Sequence, residues 1–95
     1  SQNLDFQKVM QKVNEDLVSL NTNIDGNPLV PYEPIDGKQF IVNKAKVLNH
    51  RWIVAEYSNG DLWGQILIKY FFSEDKPTEF QTVDTVLYER QKVEK

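Results

Sequence analysis

Few side chains in this sequence can do covalent or acid–base chemistry. There is one histidine and no cysteine among 95 residues. Any nucleophile–histidine–acid set would have to use His50, which sits between Asn49 and Arg51 in a stretch that reads as a turn. A catalytic histidine needs a partner to orient it and a group to work on. His50 has neither in its local pattern and is expected to be an exposed turn residue. A single imidazole with no thiolate leaves zinc without its ordinary ligands, and thiol catalysis and disulfides are excluded. Glu56 and Asp84 fall on one sheet face in the register below, with a strand between them. Paired carboxylates acting on a glycoside lie about 5–9 Å apart around a cleft, which a flat sheet face does not offer. The glycines are isolated and form no phosphate-cradling loop. The Asp25-Gly26 and Asp36-Gly37 turns lack the alternating oxygen ligands of a calcium loop. The chain therefore reads as non-enzymatic, with no cofactor and no metal.

What the chain offers instead is aromatic surface, and the stretch Arg51–Phe72 organises it. Asn59-Gly60 separates two runs rich in β-branched and aromatic residues. That dipeptide supplies the two positive φ angles of a type I′ hairpin turn. The two-residue loop pairs Ser58 with Asp61, Glu56 with Trp63, Ala55 with Gly64 and Trp52 with Leu67. Paired residues share a face. One face then carries Ile53, Ala55, Tyr57, Leu62, Gly64, Ile66, Ile68, Tyr70 and Phe72 and reads as core, with a shallow spot where Ala55 meets Gly64. The other carries Trp52, Val54, Glu56, Trp63, Gln65, Leu67, Lys69 and Phe71. A one-residue slip would mix the two sets, so the alternation itself supports the faces.

The remaining elements must position that hairpin. Leu4 to Asn21 reads as an amphipathic helix capped by Asn3. Its apolar stripe of Phe6, Val9, Met10, Val13, Leu17 and Leu20, extending to Ile24, faces the core. Residues 22–38 are a Pro/Gly connection. Pro28, Pro31 and Pro34 recur every third residue, the period of polyproline II, but no arginine flanks them, and an extended crossover is the simpler reading. Gln39–Leu48 reads as an edge strand guarded by lysines, its register open. Glu79–Tyr88 is the last strand. A four-residue loop pairing Ser73 with Thr78 sets Phe71 against Phe80, Ile68 against Val83 and Trp63 against Tyr88. That adds Phe80, Val86, Tyr88 and Asp84 to the aromatic face, with Asp84 diagonal to Lys69 and able to pair with it. Residues 89–95 form a charged tail.

Assembled, residues 1–95 are a single α+β domain, an N-terminal helix on a four-stranded antiparallel meander. The element order looks like the cystatin-type α/β roll, by analogy of topology. The Gln-x-Val-x-Gly loop signature is not present: neither Gln81-Thr82-Val83-Asp84-Thr85 nor Gln11-Lys12-Val13-Asn14-Glu15 ends in glycine, and no inhibitory activity is carried over.

A net charge of −3 without a basic cluster argues against nucleic acid as a partner. No apolar run approaches the ~20 residues that span a bilayer. The compartment stays open, cytoplasmic or exported after removal of a signal. The expected function is binding of a protein partner, or a homodimer, through Trp52, Trp63, Leu67, Lys69, Phe71, Phe80, Asp84 and Tyr88. The reading from another class is a small apolar-ligand carrier, with a pocket lined by Tyr57, Tyr70 and Phe72 between helix and sheet.

Overall fold

A computed structural model describes residues 2–88, and their side chains from residue 5 onward; the expected charged tail, 89–95, lies outside the described residues. The helix α1 runs Gln2–Ser19 and tightens into a 3-10 turn at Leu20–Thr22. Asn3 lies inside the helix instead of capping it. Four strands follow: β1 (Ile41–Val47), β2 (Trp52–Ser58), β3 (Trp63–Phe71) and β4 (Glu79–Tyr88). They form one antiparallel sheet in the order β1-β2-β3-β4. Both expected features of the fold, the N-terminal helix and the four-stranded antiparallel meander, are present.

The alternation in β2 and β3 sends Ile53, Ala55, Tyr57, Ile66, Ile68 and Tyr70 to one face, where all are buried. Val13 and Leu17 of α1 close over them, and Val9 packs at the margin. Burial of this continuous apolar set is the main stabilising term. Ile24, expected at the end of the stripe, is 85% exposed because the chain has left the helix by then.

The central hairpin differs from the two-residue turn. Ser58 pairs with Trp63, so Asn59–Leu62 form a four-residue loop. Asn59 Oδ1 accepts the amides of Asp61 and Leu62, at 2.9 and 2.8 Å. Only Gly60 carries a positive φ there. An asparagine that caps its own turn removes the need for the I′ geometry. The register shifts by two residues, an even number, so the faces are unchanged while the partners move. Tyr57 now lies across Gly64, and Ala55 across Ile66. The I′ signature occurs instead at Asp36-Gly37. Both residues have positive φ, and Ile35 and Lys38 exchange two backbone hydrogen bonds.

Bulges set the faces of the outer strands. In β1, Val42 pairs with Tyr57 but Lys44 pairs with Glu56, leaving Asn43 as the extra residue. Val42 and Val47 are an odd distance apart, and only this insertion lets both face the core. In β4, Asp84 pairs with Leu67 but Thr82 pairs with Ile68, leaving Val83 extra and 48% exposed. From Trp63 to Leu67 the pairing is as expected. Beyond the bulge it moves by one, so Phe80 lies opposite Tyr70 and packs against the core. Phe80 therefore lies on the buried face, and Val83, expected there, is the residue displaced from it.

Residues 24–38 also belong to the core side. Val30 is buried, Leu29 packs beside it, and the Leu29 carbonyl accepts the Thr82 hydroxyl at 2.6 Å. Tyr32 lies 6.1 Å from the Phe40 ring and 6.5 Å from the Tyr57 ring. Asn27–Val30 make a turn closed by Val30 N to Asn27 O, which interrupts the three-residue proline period. The segment is a crossover, as the simpler reading held.

Candidate functional site

The face left open by the helix and connection carries most of the aromatic residues singled out in the sequence. Cross-strand pairing groups Trp52 with Lys69, Val54 with Leu67, Glu56 with Gln65, Leu67 with Asp84, Gln65 with Val86 and Trp63 with Tyr88. None of these side chains is fully buried. Phe71 and Val86 are 47% and 51% exposed. Phe80 is missing from the set, for the bulge at Val83 sends it to the opposite side.

The centre of the face is ordered by side-chain contacts. The Trp63 and Tyr88 rings stack, with centroids 4.4 Å apart and planes inclined by 26°. The Tyr88 hydroxyl donates to Gln65 Oε1 at 2.9 Å. Ring and hydroxyl are thus held at both ends, which lowers the rotamer entropy a partner would have to quench. Beside them Val54, Gln65, Leu67, Asp84 and Val86 line a shallow depression of about 200 Å³.

Charged groups frame the apolar centre. Lys44 and Lys46 stand on the β1 edge, and Glu56 lies opposite Lys44. The Lys69 ammonium sits over the Phe71 ring, 5.4 Å from its centroid. It does not pair with Asp84 as expected. The bulge moves Lys69 opposite Gln81, three residues from Asp84, and Asp84 Oδ1 accepts the Thr85 amide instead. The described ion pairs are Lys12–Asp16 and Lys38–Asp61, both away from this face.

The carboxylates Glu56 and Asp84 remain separated by β3. His50 is exposed in the β1–β2 turn, with its ring edge-on to Phe6 at 5.1 Å. Among the described residues, no three of His, Asp and Glu gather closely enough to hold a metal ion, and no helix is long and apolar enough to cross a membrane.

Tyr57, Tyr70 and Phe72, expected to line one pocket between helix and sheet, do not share one. Tyr57 is sealed inside the core, its hydroxyl 2.7 Å from Thr85 Oγ1, and burial pushes its phenol above the ordinary range against the opposing pull of the Thr85 hydrogen bond. Tyr70 and Phe72 line an open cleft of about 590 Å³ at one end of the sheet. His50 and Arg51, from the β1–β2 turn, are on its wall. Reasoning from strand alternation missed them because the cleft is made by a turn meeting a helix. Comparison of the chain with protein-family models, curated proteins and solved structures finds no match.

Proposed function

We propose that the protein is a non-enzymatic interaction module that binds a protein partner through the open face of its sheet. The observation that supports this reading is the composition of that face. Trp52, Val54, Trp63, Leu67, Val86 and Tyr88 form an apolar centre that no described element covers, inside a margin of Lys44, Lys46, Glu56, Lys69 and Asp84. An apolar, aromatic centre with a polar rim is the layout of protein–protein interfaces, and Trp and Tyr are over-represented among the residues that dominate their energetics. The Trp63–Tyr88 stack is preorganised for such a role, with Trp52 and Phe71 as further anchors.

The test uses Phe71→Glu/Val86→Glu, since both side chains are half exposed and neither belongs to the buried core. Circular dichroism establishes that the variant is folded, and sedimentation is then measured against concentration. A wild-type dimer that becomes a folded monomer in the variant makes the partner a second copy of this chain. A wild-type monomer that captures a partner stoichiometrically, where the variant does not, makes the partner foreign. If every captured protein binds wild type and variant equally and neither self-associates, the open face is not an interface and the reading fails.

A further inference from the structure

We propose that the cleft at the end of the sheet is a binding site for a small monocarboxylate with an apolar body, held by Arg51. This site is distinct from the open sheet face except at Phe71, which borders both. Its volume, about 590 Å³, is within the range of about 300–1,000 Å³ typical of small-molecule sites. Phe6 and Val9 of α1 form one wall, and Phe71 and Phe72 at the end of β3 form the other. Tyr70 contributes a buried ring whose hydroxyl is committed to the Asn49 carbonyl at 2.6 Å, so the inner surface is largely apolar.

The charges around it are not equivalent. Asp5 lies in the first turn of α1, where a carboxylate is favoured by the helix dipole, so its presence has a structural explanation. Lys12 reaches the Phe72 ring but is already bound to Asp16 and to the Lys76 carbonyl. Arg51 has no such account. Its backbone holds the sheet end, with its carbonyl accepting Tyr70 N at 2.9 Å. Its guanidinium makes no ion pair or hydrogen bond to any described residue. A planar fork of donors at the rim of an aromatic cleft matches a carboxylate, which it can bind through two parallel hydrogen bonds. His50 adds a second nitrogen donor on the same wall. The ligand that fits has one carboxylate at the rim and an alkyl chain or ring lying between Phe6 and Phe72.

The test titrates the full isotope-labelled chain with octanoate and, separately, with 1-octanol, following amide and side-chain chemical shifts. Octanoate should give saturable shifts at Phe6, His50, Arg51 and Tyr70 and bind at least about tenfold more tightly than octanol, as a charge-assisted hydrogen bond provides. Arg51→Gln should weaken octanoate to the level of octanol and leave octanol unchanged. The variant should fold normally, because the side chain holds nothing described. Equal affinities for the acid and the alcohol in wild type, octanoate binding that survives Arg51→Gln, shifts confined to Trp52 and Trp63, or no saturable binding would each overturn the proposal.

Discussion

Tyr57 lies directly across the β2–β3 ladder from Gly64, and its ring fills the space a side chain there would need. A Cβ on Gly64 would stand 2.6 Å from the Tyr57 Cζ and Oη and would also collide with the Val86 carbonyl. The glycine is required for this close approach. Gly64→Ala should therefore destabilise by about 2–3 kcal/mol, the scale of core overpacking. Denaturant unfolding checks it: the midpoint should fall with little change in slope, and a neutral substitution would mean that Tyr57 does not pack there.

The two buried tyrosines make an alkaline limb to the stability curve. Burial raises the phenols of Tyr57 and Tyr70, with the Thr85 hydrogen bond partly opposing the rise at Tyr57. Each folded-state pKa lies above the unfolded value of 10.0. The stability linked to these groups is fully present below pH 10.0 and is lost as pH rises through the folded values. Melting temperature should fall above that pH, and Tyr57→Phe/Tyr70→Phe should flatten the fall while lowering stability at neutral pH by about 1 kcal/mol per lost hydrogen bond. An unchanged alkaline limb in the double variant would assign it to other groups.

Asp16 ties α1 to the loop before β4. Its Oδ2 accepts the Thr78 amide at 2.9 Å, the Thr78 hydroxyl at 2.7 Å and the Lys12 ammonium at 2.9 Å. Burial raises the carboxyl, but the hydrogen bonds from Lys12 and Thr78 more than offset it, so the net displacement is downward from 3.8. Stability from this group is present above pH 3.8 and is lost as pH falls through the lower folded value. Asp16→Asn should lower stability at pH 7 by about 1 kcal/mol, and the gap to wild type should close in acid. Urea titrations at pH 7 and in acid measure it, and a constant gap would count against the charge.

Asn21 and Asn27 fasten the helix end to the sheet. Asn21 exchanges two hydrogen bonds with the Val42 backbone, both 2.9 Å. Asn27 is buried. Its Nδ2 donates to Asn21 Oδ1 at 2.9 Å and to the Leu17 carbonyl at 3.2 Å, and its Oδ1 accepts the Leu29 amide at 3.0 Å. Asn27→Ala strands several of these groups and should destabilise by about 2–3 kcal/mol, the price of buried unsatisfied partners. Hydrogen exchange should show faster opening of the Val42 and Leu29 amides, and full protection there would remove the network from the account.

The sequence by itself determined the elements and the faces of the central strands. Period-two alternation from Trp52 to Phe71 assigns Tyr57 and Ile66 to the core and Trp63 and Leu67 to the open side under any even register. The spacing of Val9, Val13 and Leu17 likewise set the helix face. The tertiary structure decided the rest. The hairpin slid by two residues because Asn59 caps a four-residue turn and Tyr57 needs Gly64 opposite it. Alternation is blind to an even slip. The extra residues Asn43 and Val83 were invisible because a bulge appears only when two strands pair, and each reverses the faces on one side of it. That reversal took Phe80 out of the aromatic face and separated Lys69 from Asp84. The cleft beside Arg51 belongs to the same class, being formed where a turn, a helix and a strand end meet, a proximity set by packing over long sequence distances.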